Sequence, residues 1–163
     1  MATTTAISME EYLSTDYEWA PEWVDGELVE REMLNTLHSN ATGRITRAVE
    51  NAGLWAGPQL GLPMTHRVRI PDVSIFAEMP ERPFPKHPPL ATVELLSPSE
   101  RMKDVVAKCR EYEAFGVKHV WVLDPESRAM YVLGPLGLNA VARLEIPSHN
   151  ASFGPDDVFG PLD

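Results

Sequence analysis

The chain has 163 residues, of which 44% are hydrophobic and 23% charged, which fits one soluble globular domain with a proper core and does not fit a disordered chain. Its formal charge of −10 excludes a general nucleic-acid coat, whose affinity comes from neutralising phosphates with basic residues. No run approaches the roughly 18 apolar residues of a membrane span.

The opening MATTTAISMEEYLS has no basic region followed by an apolar stretch, so no signal peptide is expected. The single cysteine, Cys109, excludes an internal disulfide and fits a cytoplasmic location. Ser8 with Glu11 forms a capping-box pattern, stapled by Ile7 and Tyr12, and predicts a short helix over about 8–14. PEWVDGELVERE carries Asp25-Gly26 between two strand-like runs, a strong hairpin signal. From Asn35 to Ala52, the residues Leu37, Ala41, Ile45, Val49 and Ala52 share one helical face, and Gly53 ends it. THRVRI alternates as a half-buried strand should. PDVSIFAE follows as another strand, with Pro71 at its entrance, where proline is tolerated. The loop over about 79–89 holds many prolines together with Arg82 and Lys86, and leads into LATVELLS. A helix is predicted from Ser99 to Gly116, then a strand KHVWVLD, then SRAMYVLG and LNAVARLEI as a terminal hairpin. The unit strand, helix, strand over about 90–124 is a β-α-β crossover, which requires parallel strands. The predicted fold class is α/β: one domain over residues 1–163, a mixed β-sheet core flanked by helices, with hairpin additions.

Glu94 lies inside the apolar run LATVELL, where a strand covered on both faces is expected to be continuously hydrophobic. A buried carboxylate costs several kcal/mol unless it is paired, protonated or bound to a metal. One reading places Glu94 near the strand end against an arginine. The other sets it beside Asp72, at the mouth of the preceding strand, so that two carboxylates face one point. Oxygen ligands of that kind suit Mg²⁺ or Mn²⁺. Glu27, just past the Asp25-Gly26 turn, is a third candidate acid. On the following helix Met102, Val105, Val106, Cys109 and Tyr112 form the apolar stripe, with Lys108 at its margin. From there its ammonium either reaches over the sheet towards Glu94 or pairs with Asp104 at i−4.

Pro71-Asp72 followed by Glu94 in a buried strand resembles the PD-(D/E)XK nuclease superfamily. VDGELVE at 24–30, His38, PDVSIF at 71–76, VELLSPSE at 93–100, Asp104 with Lys108 and Tyr112, and GVKHVWVLDP at 116–125 together resemble the Uma-two family of putative restriction endonucleases. The resemblance runs from about residue 18 to 133. It implies a restriction-endonuclease-like fold and a divalent-metal-dependent endonuclease acting on DNA, with Mg²⁺ or Mn²⁺ as cofactor and a homodimer to cut both strands. It also implies that Asp72, Glu94 and the backbone carbonyl of Leu95 hold the metal. Lys108 replaces the superfamily's usual lysine, whose position here is Leu96, and Glu27 is the added upstream acid. His38 matches a family histidine with no assigned role.

His66, His87, His119 and His149 share no zinc-like spacing and read as surface or edge residues. Cys109 reads as core, and Trp19, Trp23, Trp55 and Trp121 as core or interface anchors and not as base-stacking platforms. The loop at 79–89 borders a substrate groove, docks a second subunit or is an irregular connector, and Arg44 and Arg47 are either phosphate contacts or solvated helix charges. The tail over 147–163 either covers the sheet or hangs free. The alternative function is a nuclease fold without catalysis, serving as a binding module, a reading that the acidic charge and Leu96 favour.

Overall fold

The computed structural model describes residues 6–162. Ser8 caps α1 (Met9–Ser14), its hydroxyl accepting the Glu11 N–H at 3.1 Å, and Ile7 packs beside Tyr12. Two short strands, β1 (Glu22–Val24) and β2 (Glu27–Val29), follow as the expected hairpin. Asp25 and Gly26 both take positive φ, 49° and 92°, which is the backbone of a type I′ turn and explains the Asp-Gly pair. The hairpin joins β5 (Arg67–Arg69) and β4 (Leu62–Pro63) in a small antiparallel sheet of order β2-β1-β5-β4.

The main sheet contains β6 (Val73–Phe76), β7 (Ala91–Leu95), β8 (His119–Asp124), and the hairpin of β9 (Ala129–Gly134) with β10 (Gly137–Val141). Its far edge is β3 (Trp55–Pro58), giving the order β10-β9-β8-β7-β6-β3. Only β7 and β8 run parallel, joined by α3 (Met102–Phe115). The sheet is therefore mixed and contains the expected crossover.

Strand alternation divides the side chains between two faces. Val73, Ile75, Ala91, Val93, Leu95, Trp121 and Leu123 pack with Ala41, Ile45 and Val49 of α2 (Thr36–Asn51). On the opposite face Val120 and Val122 pack with Val105, Cys109 and Tyr112 of α3. Glu94 stands opposite Val122 in the parallel register, so its carboxylate belongs to the α3 face.

Four details depart from the sequence reading. The buried face of α2 centres on His38, Ala41, Ile45 and Val49, while Leu37 and Ala52 are exposed. Helix α3 begins at Met102, not Ser99, because residues 98–99 form a turn and the Ser97 and Ser99 hydroxyls are given to Glu32. The run LNAVARLEI does not form one strand. It breaks after β10, and β11 (Leu144–Ile146) pairs with β12 (Ala151–Phe153) so that Leu144, Ile146 and Phe153 enter the α2-side core. Strand β3 went unpredicted; its run WAGP is short, carries a glycine and a proline, and shows no alternation. Gly57 is needed there, since a Cβ would lie 2.6 Å from the Trp55 ring folded over it.

The tail does not hang free. Its helix α4 (Pro155–Phe159) lies against α2, and Val158 and Phe159 join the core. Among the described residues no helix is long and apolar enough to cross a membrane. Because Phe159 is 9% exposed, Phe159→Ala should lower unfolding free energy by about 3 kcal/mol. Urea denaturation measures this, and an unchanged midpoint would mean that α4 is not part of the cooperative core.

Candidate active site

Strands β6 and β7 pair antiparallel with Val73 opposite Val93. Extending that register by one residue sets Asp72 opposite Glu94, on the same face. Both are buried, with exposures of 6% and 9%. Asp72 Oδ2 accepts the Leu95 N–H at 2.7 Å, and Oδ1 lies 3.5 Å from Arg31 Nη2. Glu94 Oε1 accepts the hydroxyl proton of Tyr112, itself buried in α3. Burial pushes the Asp72 carboxyl above its ordinary range. Burial, together with the negative charges of Asp72 and Glu22, pushes Glu94 up to about 8 despite the nearby Lys108 ammonium.

These two acids open onto a cavity of about 430 Å³ between α3 and the small sheet. Lys108 lies on its wall. Its Nζ is 3.3 Å from Glu22 Oε1, and among the described residues its ion pair is with Glu22 rather than Asp104. Burial opposes the ammonium, but Glu94 and Glu22 outweigh it and hold the pKa above its ordinary value. Leu96, at the position where the superfamily lysine would stand, packs against the apolar cluster under α3. The same contact that excludes a charge there seats the helix that carries Lys108.

Glu27 is not in this cavity. It pairs with Val24 next to the hairpin turn and is exposed. The upstream acid at the cavity is Glu22, at the open end of the same hairpin and 3% exposed. Its second oxygen accepts the Ile70 N–H at 2.9 Å, and Arg69 approaches within 3.8 Å. Sequence reasoning missed it because VDGE draws attention to the turn. The available signal was alternation, which puts Glu22 on the face opposite Trp23, a core residue of the small sheet.

His38 does have a place. Its Nε2 donates to the Leu96 carbonyl at 2.7 Å, and Nδ1 lies 2.7 Å from Asn35 Oδ1, the cap of α2. The imidazole thus ties the start of α2 to the exit of β7, one residue beyond Leu95. Glu32 bonds Ser97 at 2.6 Å and also Ser99, which draws the 30–34 segment over the cavity. The loop at 79–89 contributes nothing to this lining, and some of its residues line a separate shallow cavity with Phe76.

The raised carboxylates make stability depend on pH. Between its ordinary value and about 8, Glu94 stays protonated in the fold but ionises on unfolding, so the unfolded state binds fewer protons and stability falls as pH rises. The melting temperature of metal-free protein should therefore drop from pH 5 to pH 8, and Glu94→Gln should flatten most of that slope. A flat wild-type profile would mean that Glu94 is ionised throughout.

A solved structure that this chain resembles is that of a putative nuclease belonging to DUF820 from Anabaena variabilis. The two share 20% identity, with a TM-score of 0.79 over 94% of this chain and 97% of the other. No curated protein matches the sequence. The likeness shows a mixed-sheet fold like that of the Anabaena protein. Residues 9–159 match the family described as "Putative restriction endonuclease", so the chain belongs to the Uma2 family.

Proposed function

We propose that this protein hydrolyses DNA phosphodiester bonds with a divalent cation, Mg²⁺ or Mn²⁺. The observation that carries this reading is the buried Asp72–Glu94 pair, two carboxyl groups set face to face beside a lysine, which repel each other when both are ionised. Such an arrangement is unfavourable in the absence of a cation. Among the described residues no three His, Cys, Asp or Glu side chains form a metal cage. The proposed donor set is two carboxylates and the Leu95 carbonyl. A strand residue points its N–H and C=O to the same edge, and the Leu95 N–H already meets Asp72. That set suits Mg²⁺, which keeps several waters and binds through one or two carboxylates plus substrate phosphate.

A bound cation there would polarise a phosphoryl oxygen and lower the pKa of an attacking water. The chain's own residues do the rest. Tyr112 fixes the Glu94 carboxylate, and the Leu95 N–H fixes that of Asp72. Lys108 stays charged and either orients the water or offsets charge that grows on the phosphoryl group. Glu22 holds that ammonium in place, and we assign it the role that the family resemblance gave to Glu27. A homodimer, which the family resemblance implied, remains part of the reading; sedimentation velocity tests it.

Incubation of mixed genomic DNA with Mn²⁺ should give cleavage that chelation abolishes. Asp72→Ala and Lys108→Ala should each lower it by about 10²–10³-fold. Glu22→Gln should lower it at least about tenfold more than Glu27→Gln. Cleavage that survives in both Asp72→Ala and Lys108→Ala would belong to another site. No cleavage and no Mn²⁺ binding by wild type would favour the non-catalytic binding module.

A further inference from the structure

The segment Glu30 to Leu34 and Gln59 line a second cleft as well as the acid cavity. This cleft, of about 540 Å³, is completed by Trp19, Ala20 and Pro21. Trp19 is 71% exposed and Met33 96%, so neither serves the core. A single exposed apolar residue needs no explanation. Here an indole and a thioether line one cleft that adjoins the two buried carboxylates.

Charge decides what fits. The shared wall carries Glu30 and Glu32, and the acid cavity adds Glu100, Asp104 and Glu111. The cations of that cavity are already held: Arg69 by Glu111 at 2.7 Å and Lys108 by Glu22 at 3.3 Å. A run of consecutive phosphates would be repelled, whereas a neutral aromatic ring would not. Among the described residues, Arg31 is the cation that lines both cavities. Its hold on Asp72 is a single contact at 3.5 Å, at the weak limit of a hydrogen bond. A cation on Asp72 would compete with that contact and leave the guanidinium for one phosphate at the junction.

We infer that this cleft is a subsite for one unstacked nucleobase of the substrate strand, stacked on Trp19 beside Met33, with Arg31 holding the adjoining phosphate. The inference rests on the nuclease reading and extends it to substrate class. A base paired within a duplex cannot enter, so single strands and frayed ends are preferred over intact duplex.

The test is binding of a short single-stranded DNA oligonucleotide carrying 2-aminopurine, in Ca²⁺ and followed by its fluorescence. Trp19→Ala should weaken binding about tenfold, within the range for one base–aromatic stack. Trp19→Phe should restore most of the affinity. An oligonucleotide made wholly of abasic sugars should bind wild type and Trp19→Ala alike. Equal affinities of wild type and Trp19→Ala for the base-bearing strand would overturn the inference, as would an absence of binding. The nuclease reading is judged separately, by Mn²⁺-dependent nicking of circular single-stranded DNA that is lost in Asp72→Ala. Nicking without Trp19 dependence removes only the subsite. Trp19-dependent binding without nicking keeps the subsite and removes the nuclease.

Discussion

Two carboxylates meet across the β6–β7 pairing in a place that would ordinarily be apolar, and much of the surrounding structure follows from accommodating them. Asp72 is anchored by the Leu95 N–H, Glu94 by the Tyr112 hydroxyl. Burial raises both pKa values, so the metal-free fold favours protons on a pair that a cation would strip. This is a strained electrostatic arrangement, and strain of that kind is typical of sites tuned for chemistry. It is also the reason the sheet needs a helix at this point that supplies a tyrosine and a lysine, and not merely an apolar lid.

Helix α3 meets that need with one face. Val105, Cys109 and Tyr112 pack on the sheet, and Lys108 sits beside them at the cavity wall. Glu22 then connects α3 to the small sheet, with its two oxygens shared between Lys108 and the Ile70 N–H. Arg69 binds Glu111 on the same helix through both Nε and Nη2. Such bidentate pairs carry geometric specificity as well as energy. The small sheet therefore braces the helix that carries the lysine.

Net charge and local charge tell different stories here. An overall charge of −10 speaks against broad electrostatic capture of duplex DNA. Membership of the Uma2 family and the proposed cation site speak for phosphodiester chemistry at one point. The two agree if the substrate is engaged through a single phosphate and an unstacked base and not through a long basic groove.

Much of the fold was legible in the sequence because its signals are local. Asp25-Gly26 specified a turn with positive φ, Ser8 and Glu11 specified a helix start, and the run PDVSIFAE behind Pro71 specified a strand. Glu94 was legible too, because a carboxylate in an apolar strand violates a strong rule. What only the tertiary structure decided was partnership across long separations. Glu22 and Lys108 lie 86 residues apart, and nothing near either residue encodes the other. His38 meets the Leu96 carbonyl 58 residues away, and the Ser97 and Ser99 hydroxyls meet Glu32 instead of capping α3. Strand β3 and the break before β11 were likewise settled by packing, since short runs with glycine or charge carry too little periodicity to outweigh it. The sequence by itself determined which residues are out of place in an apolar core; the fold determined which of them meet.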